Sequence, residues 1–138
     1  MTYQIVLLDN PDEIIRLSDF LDAMIKRERL DFPTGFRIHL ALEEACSNII
    51  RYAYPGETGK TFRLDVETDD SSILFTLTDD GIPFNPLLNA PAVDTTLSAE
   101  ERVIGGLGIF LLKNVMHEMN YERRGKFNIL TMKYLKKQ

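Results

Sequence analysis

A carboxylate and a carboxamide stand four residues apart in the stretch Leu42-Glu43-Glu44-Ala45-Cys46-Ser47-Asn48-Ile49-Ile50-Arg51-Tyr52-Ala53-Tyr54. If this stretch is helical, Glu44 and Asn48 lie about 40° apart around the axis, one turn above the other. A side-chain carbonyl oxygen such as that of Asn48 suits Mg²⁺, which takes few protein ligands and fills its other positions with phosphate and water oxygens. A glutamate one turn earlier can take a proton from a hydroxyl or water beside a terminal phosphate. The same pair also suits an ordinary solvated helix face, so its meaning depends on what accompanies it.

Two other stretches accompany it. Gly105-Gly106-Leu107-Gly108 frees the backbone for close approach, and it opens an apolar helical pattern whose N-terminal amides and positive dipole would face an anion. A tight turn or close packing explains such glycines equally well. Asp79 ends a strand pattern and precedes Asp80-Gly81, where it is either a turn aspartate or an acceptor for the amine of a base.

The elements that must position these groups follow from periodicity. Tyr3 to Leu8 reads as a strand. Asn10 as N-cap, Pro11 at the first helical position and Glu13 at the capping-box position open a first helix, which Ile14, Leu17, Leu21, Met24 and Ile25 carry to about Arg29. Lys26-Arg27-Glu28-Arg29 gives that helix a basic end, read as solvated or as a partner-binding surface. Phe32-Pro33 breaks the pattern, and Thr34 is expected to cap the second helix. Ile38, Leu42, Ala45, Cys46, Ile49 and Ala53 form its buried face, and it stops near Pro55-Gly56.

Gly59-Lys60-Thr61 echoes the end of a P-loop, but Tyr54 stands where the first glycine belongs, and the segment runs from helix to strand rather than strand to helix. It reads as a turn. Phe62, Leu64 and Val66 alternate with polar residues, as do Ile73, Phe75 and Leu77, which with Asp69 to Ser72 between them makes a hairpin. A long connection to Ile104, with one capped turn at Ser98-Ala99-Glu100-Glu101, has the character of a lid or binding segment. Ile109, Leu112, Val115 and Met116 mark a third helix, and strands at about 120–123 and 128–135 flank a turn at Gly125. The order β-α-α-β-β-lid-α-β-β lacks βαβ alternation and predicts an α+β fold, a two-layer sandwich with a mixed, mostly antiparallel sheet and helices on one face.

Composition narrows the chemistry. The chain of 138 residues is 44% hydrophobic and 27% charged, as expected of one ordinary globular domain spanning 1–138. A net charge of −5 argues against a broad nucleic-acid surface, though not against one small phosphorylated ligand. The lone Cys46 falls in an apolar pattern and reads as a small buried hydrophobe; His39 and His117 are too far apart in sequence to suggest a histidine-rich metal site. Ile5-Val6-Leu7-Leu8 is too short for a signal or membrane segment, so a cytoplasmic location is expected.

Together the three stretches resemble a known family. Glu44-Ala45-x-x-Asn48 resembles the N box (44–54), Asp79-x-Gly81 the first glycine box (79–86) and Gly106-x-Gly108 the second (105–112) of the GHKL, or Bergerat, ATP-binding fold of histidine kinases, gyrase and related ATPases. Pro83-Phe84-Asn85-Pro86 and Gly105-Gly106-Leu107-Gly108-Ile109-Phe110-Leu111-Leu112 further resemble the bacterial anti-sigma factor serine kinases, and the resemblance covers nearly the whole chain.

It implies that Asn48 coordinates Mg²⁺, that Glu44 is the general base, and that Asp79 binds the adenine amine with Gly81 letting the base lie close to the backbone. Gly105, Gly106, Leu107 and Gly108 would hold the phosphates, and Ile82 to Ile104 would be the ATP lid. Tyr52 stands where the family often has histidine. Where many members carry a Gly-Thr pair near the adenine, this chain has Gly125-Lys126-Phe127-Asn128, with Asn128 the candidate substitute; Arg102 is either a γ-phosphate ligand or a solvated lid residue.

The implied function is an ATP- and Mg²⁺-dependent serine/threonine protein kinase that phosphorylates a STAS-domain anti-sigma factor antagonist and sequesters a sigma factor, which the unphosphorylated antagonist releases. Family members often dimerise, so a homodimer is compatible with the resemblance. An ATP-gated interaction switch without phosphate transfer and a slow GHKL ATPase stand as alternatives. A histidine-kinase catalytic fragment fits less well, since no phosphoacceptor-helix pattern precedes the ATP-site motifs.

Overall fold

The computed structural model describes residues 1–89 and 106–136. In order it contains β1 (Thr2–Leu8), a 3₁₀ turn (Pro11–Glu13), α1 (Ile14–Arg27), α2 (Phe32–Tyr52), β2 (Thr61–Thr68), β3 (Ser72–Asp79), α3 (Pro86–Asn89), α4 (Gly106–Val115), β4 (Glu118–Arg124) and β5 (Phe127–Leu135). Most of the expected lid, with the Ser98–Glu101 turn, Arg102 and Gly105, lies outside the described residues.

The five strands form one sheet in the order β1-β2-β3-β5-β4, and each of the four pairings is antiparallel. Alternation decides which face is buried. Phe62, Leu64 and Val66 of β2, Ile73, Phe75 and Leu77 of β3, and Leu130 and Met132 of β5 point inward to Leu17 and Leu21 of α1, Ile38 and Leu42 of α2, and Leu112 of α4. Their polar neighbours line the opposite face. This is the expected α+β two-layer arrangement. Cys46 is fully buried in the core, and that burial pushes its thiol pKa up.

The helix ends differ in detail from the sequence expectation. Asn10 does cap the first turn, accepting from the Asp12 amide, but Glu13 forms no capping box: its Oε1 accepts instead from Leu8 N at 2.9 Å and Arg16 Nη1 at 2.8 Å. The helix α1 stops at Arg27 rather than Arg29, because Arg29 adopts a left-handed φ of 56° and Leu30 N then reaches back to Ile25 O. The cap of α2 is Asp31, whose carboxylate accepts from Thr34 N at 2.9 Å; Thr34 lies inside the first turn. Pro33 misleads here because proline is tolerated within a first turn.

Two turns fix the sheet. Gly125 (φ 59°) takes the first position of a two-residue loop closing Arg124 onto Phe127, which sets the β4–β5 register. In the β2–β3 hairpin Asp69 Oδ1 accepts from the amides of Ser71 and Ser72, and these bonds, with that from the Ser71 hydroxyl, lower its pKa to about 2. A third turn ties the sheet to the helices. Gly81 lies so near the end of α2 that a Cβ there would sit 2.3 Å from Ala53 O, and Ile82 N donates to that same oxygen at 2.9 Å.

Gly81→Ala should therefore destabilise the fold by about 1–3 kcal/mol, read as a lower urea midpoint at unchanged slope. The depressed pKa of Asp69 gives a second expectation. The carboxylate contributes stability above its unfolded value of 3.8, and this contribution is lost as pH falls towards 2. The difference in Tm between wild type and Asp69→Ala should be full at pH 6 and should narrow below pH of about 4. A difference that stays constant down to pH of about 2 would contradict it.

Candidate functional site

Three inward-facing positions, each on a different element, carry polar residues where apolar ones would continue the core. Asp79 follows Ile73, Phe75 and Leu77 in the inward alternation of β3; Asn128 precedes Leu130 and Met132 in that of β5; Asn48 follows Ala41 and Ala45 on the buried side of α2. They are only 7%, 5% and 6% exposed. All three line one cavity, walled also by Ala45, Ile49, Ala53, Leu77, Phe84, Leu112 and Tyr121. Its free volume is about 30 Å³, room for about one water molecule.

Asp79 and Asn128 are register partners on neighbouring strands. Asp79 Oδ1 accepts from Asn128 Nδ2 at 2.8 Å and from Gly81 N at 2.9 Å. Burial raises the Asp79 pKa and Asp80 adds to the rise, whereas the bonds from Asn128 and Gly81 and the nearby charge of Arg123 oppose it. Arg123, the register partner of Asn128 on β4, donates from Nη1 to Gly81 O at 2.8 Å, so the turn after β3 is held from both sides.

Asn48 has a different character. Its side-chain amide makes no hydrogen bond among the described residues, and the residue lines the cavity. Glu44, one turn earlier, does not line the cavity. Its Oε1 is buried and lies 3.8 Å from Arg51 Nη1, within ion-pair range but too far for a hydrogen bond. Burial raises the Glu44 pKa, and the Arg51 charge partly offsets that rise.

Gly106, Leu107 and Gly108 form the first turn of α4, which packs on α2. Their backbone amides are thus among those left without partners by the helix. Gly105 lies outside the described residues. Gly81, expected to admit a ligand base, also makes the close backbone approach to Ala53. Asn128 is expected to bind a nucleotide directly, but its amide is engaged within the protein.

Several participants are given no role by the sequence patterns. Tyr121 bonds to Asn128 Oδ1. Phe84 lines the cavity and stacks on Tyr52 with centroids 5.6 Å apart. The Tyr54 hydroxyl lies 3.0 Å from both Thr61 O and Asp80 Oδ1, between which its one proton can be shared, and it accepts from Asp80 N, bracing the far side of the same turn. Asp9 has a buried Oδ1 without a hydrogen-bond partner among the described residues, and its pKa is raised by burial, then by Asp79 and Glu57. Counting back from the Gly125 turn would have placed Arg123 opposite Asn128; nothing in the sequence pattern marks Asp9.

No helix among the described residues is long and apolar enough to cross a membrane. The serine/threonine-protein kinase BtrW of Bordetella bronchiseptica is 25% identical over 113 residues, which span 82% of this chain and 79% of that protein. A chain of the SiaB–SiaC complex of Pseudomonas aeruginosa shares the fold with a TM-score of 0.64 at 12% identity, covering 97% of this chain and 89% of that one. The blue-light activated histidine kinase EL346 of Erythrobacter litoralis matches in its histidine kinase domain with a TM-score of 0.52 at 19% identity; 73% of this chain is covered, but only 44% of that one. The model of the histidine kinase-like ATPase domain matches residues 7–134, and the chain belongs to that family.

Proposed function

We propose that this protein is an ATP-dependent serine/threonine protein kinase that phosphorylates a STAS-type anti-sigma factor antagonist and sequesters a sigma factor. The observation that carries the ATP site is the convergence of buried Asp79, Asn48 and Asn128 on one cavity beside α4. The likeness to a serine/threonine kinase supports a protein acceptor; the choice of partners rests on the family resemblance. A homodimer is compatible with this reading.

In this reading Asp79 accepts a hydrogen bond from the exocyclic amine of adenine, and the amides at the start of α4 receive the phosphates. The neutral Asn48 oxygen, lacking a partner among the described residues, fits Mg²⁺, since one amide leaves most coordination positions for phosphate oxygens and water. When bound, the metal supplies charge neutralisation at the β- and γ-phosphates. Glu44 takes the hydroxyl proton as the serine oxygen bonds to the γ-phosphorus. The bond from that phosphorus to the bridging oxygen breaks, and ADP departs.

A second reading, an ATP-gated interaction switch, draws support from Phe84. A base cannot enter a 30 Å³ space unless the wall moves, and moving Phe84 breaks its stack on the half-exposed Tyr52. Occupancy would then be transmitted to the surface. The slow ATPase differs from both in using water as acceptor.

Glu44→Gln separates these readings. For the kinase, transfer from γ-labelled ATP to a panel of STAS-domain proteins should fall about 10²–10⁴-fold while ATP binding persists, and Asp79→Asn should lose binding itself. ATP binding by the wild type without transfer would favour the switch; free phosphate released without labelled protein would favour the ATPase. Transfer should also depend on pH. Glu44 must be ionised to act, so the rate should rise with pH through an acid limb above the ordinary glutamate value of 4.5. Removing the positive charge in Arg51→Gln should move this limb to higher pH; an unmoved limb would exclude Glu44 as its source.

A further inference from the structure

The side chain of Asn128 has no hydrogen-bonding capacity left over for a ligand. An amide offers two N–H donors and two carbonyl lone pairs. Here Nδ2 donates to Asp79 Oδ1 and to Ile82 O, both at 2.8 Å, and Oδ1 accepts from Phe84 N at 3.4 Å and from the Tyr121 hydroxyl. Its orientation is chemically determined. Ile82 O is only an acceptor, an ionised Asp79 likewise, and Phe84 N is only a donor, so the flipped amide would meet three mismatches.

We propose that Asn128, held by Tyr121, is a positioning residue that sets the preference of the site for 6-aminopurines over 6-oxopurines. The inference rests on the nucleotide reading above. A carboxylate free to turn about its last torsion can accept from many donors, including the N1–H of a 6-oxopurine. With Oδ1 engaged by Asn128 and Gly81, Asp79 is fixed in rotation, and among the described residues Oδ2 receives no hydrogen bond. One acceptor in one direction is left for the ligand. A fixed buried acceptor discriminates because the wrong base leaves it unpaired, whereas a mobile one readjusts.

The rest of the arrangement fits this role. Asn128 lies in register with Asp79 on one side and with Arg123 on the other, and Arg123 grips Gly81 O. The β4–β5 hairpin thus determines both the carboxylate rotamer and the position of the turn that supplies its second donor. Tyr121, two residues before Arg123 on β4, holds Asn128 from the cavity wall.

The test is calorimetric titration of the full chain with Mg-ATP and Mg-ITP, whose base carries oxygen in place of the amine. Wild type should prefer ATP. Asn128→Ala should lose about tenfold in ATP affinity with little change for ITP, so that the ratio of the two constants collapses towards one. Tyr121→Phe should move the ratio the same way by less. Asn128→Thr, whose hydroxyl can still donate to Asp79, should recover part of the preference. If Asn128→Ala does not fold, the latter two variants carry the test. Equal losses for both nucleotides, with the ratio preserved, would reduce Asn128 to a structural residue and overturn the inference while leaving the nucleotide site intact. A wild type that binds neither nucleotide, or both alike, would overturn the reading of the site and this inference with it.

Discussion

The contact between Gly81 and the last turn of α2 is the constraint on which the site depends. Helix and sheet layers pack through side chains, which ordinarily keep their backbones well apart. Here the backbone after β3 closes onto the Ala53 carbonyl, where no Cβ would fit. One bond, from Ile82 N to Ala53 O, joins the end of the sheet to the end of the helix. Because that edge is pinned, the space behind it is bounded by Asp79 on the strand side and Asn48 on the helix side. Neither residue could keep its relation to the other if the turn drifted. The glycine therefore serves the site through packing of the protein on itself.

Polar groups in a core are costly unless paired, and the protein treats its buried polar residues unequally. Asp79 and Asn128 satisfy one another, with Gly81, Ile82, Phe84 and Tyr121 completing the network. A network of this kind in low dielectric is rigid, and it favours one arrangement over its neighbours. Asn48 and Glu44 Oε1 lack hydrogen-bond partners among the described residues. Unpaired groups of this sort are where a sequence departs from what stability alone would select. The two halves of the cavity region thus have distinct physical characters: in one, Asn128 is fully engaged and Asp79 is held through Oδ1, with Oδ2 receiving no hydrogen bond among the described residues, and in the other Asn48 and Glu44 Oε1 stand outside any such network.

Much of this could be read from the sequence, for identifiable reasons. Alternation of Ile73, Phe75 and Leu77 marks β3 and its inward residues, the turn at Gly125 marks the strand after it, and helical spacing over 38–53 marks α2, since burial leaves a period that side-chain types record. Asp79 was conspicuous as a charge closing an apolar alternation. Helix ends were harder. Asp31 and Thr34 are both good caps, and only backbone geometry distinguishes the Asp31 that accepts from the Thr34 amide. Long-range partnerships were least visible. That Asn128 would turn inward to Asp79, rather than outward to a ligand, depends on Tyr121 and Phe84 at distant positions that no local period connects.

The unequal halves also constrain how binding energy can be used. On the proposed nucleotide reading, the rotation of Asp79 is set before the ligand arrives, which lowers the reorganisation cost of that one acceptor. The cavity itself is too small for a base, and Phe84 is the wall residue that also belongs to an aromatic stack on the surface. On the proposed nucleotide reading, part of the affinity gained at Asp79 would be spent in displacing that wall. Phe84 N is in turn bonded to Asn128, the residue that orients Asp79. If a base binds there as proposed, its recognition and the movement of the wall act on one side chain, and a ligand that fails to engage Asp79 lacks the interaction that would offset the displacement. On this reading, selectivity and opening are coupled through the Asn128 amide.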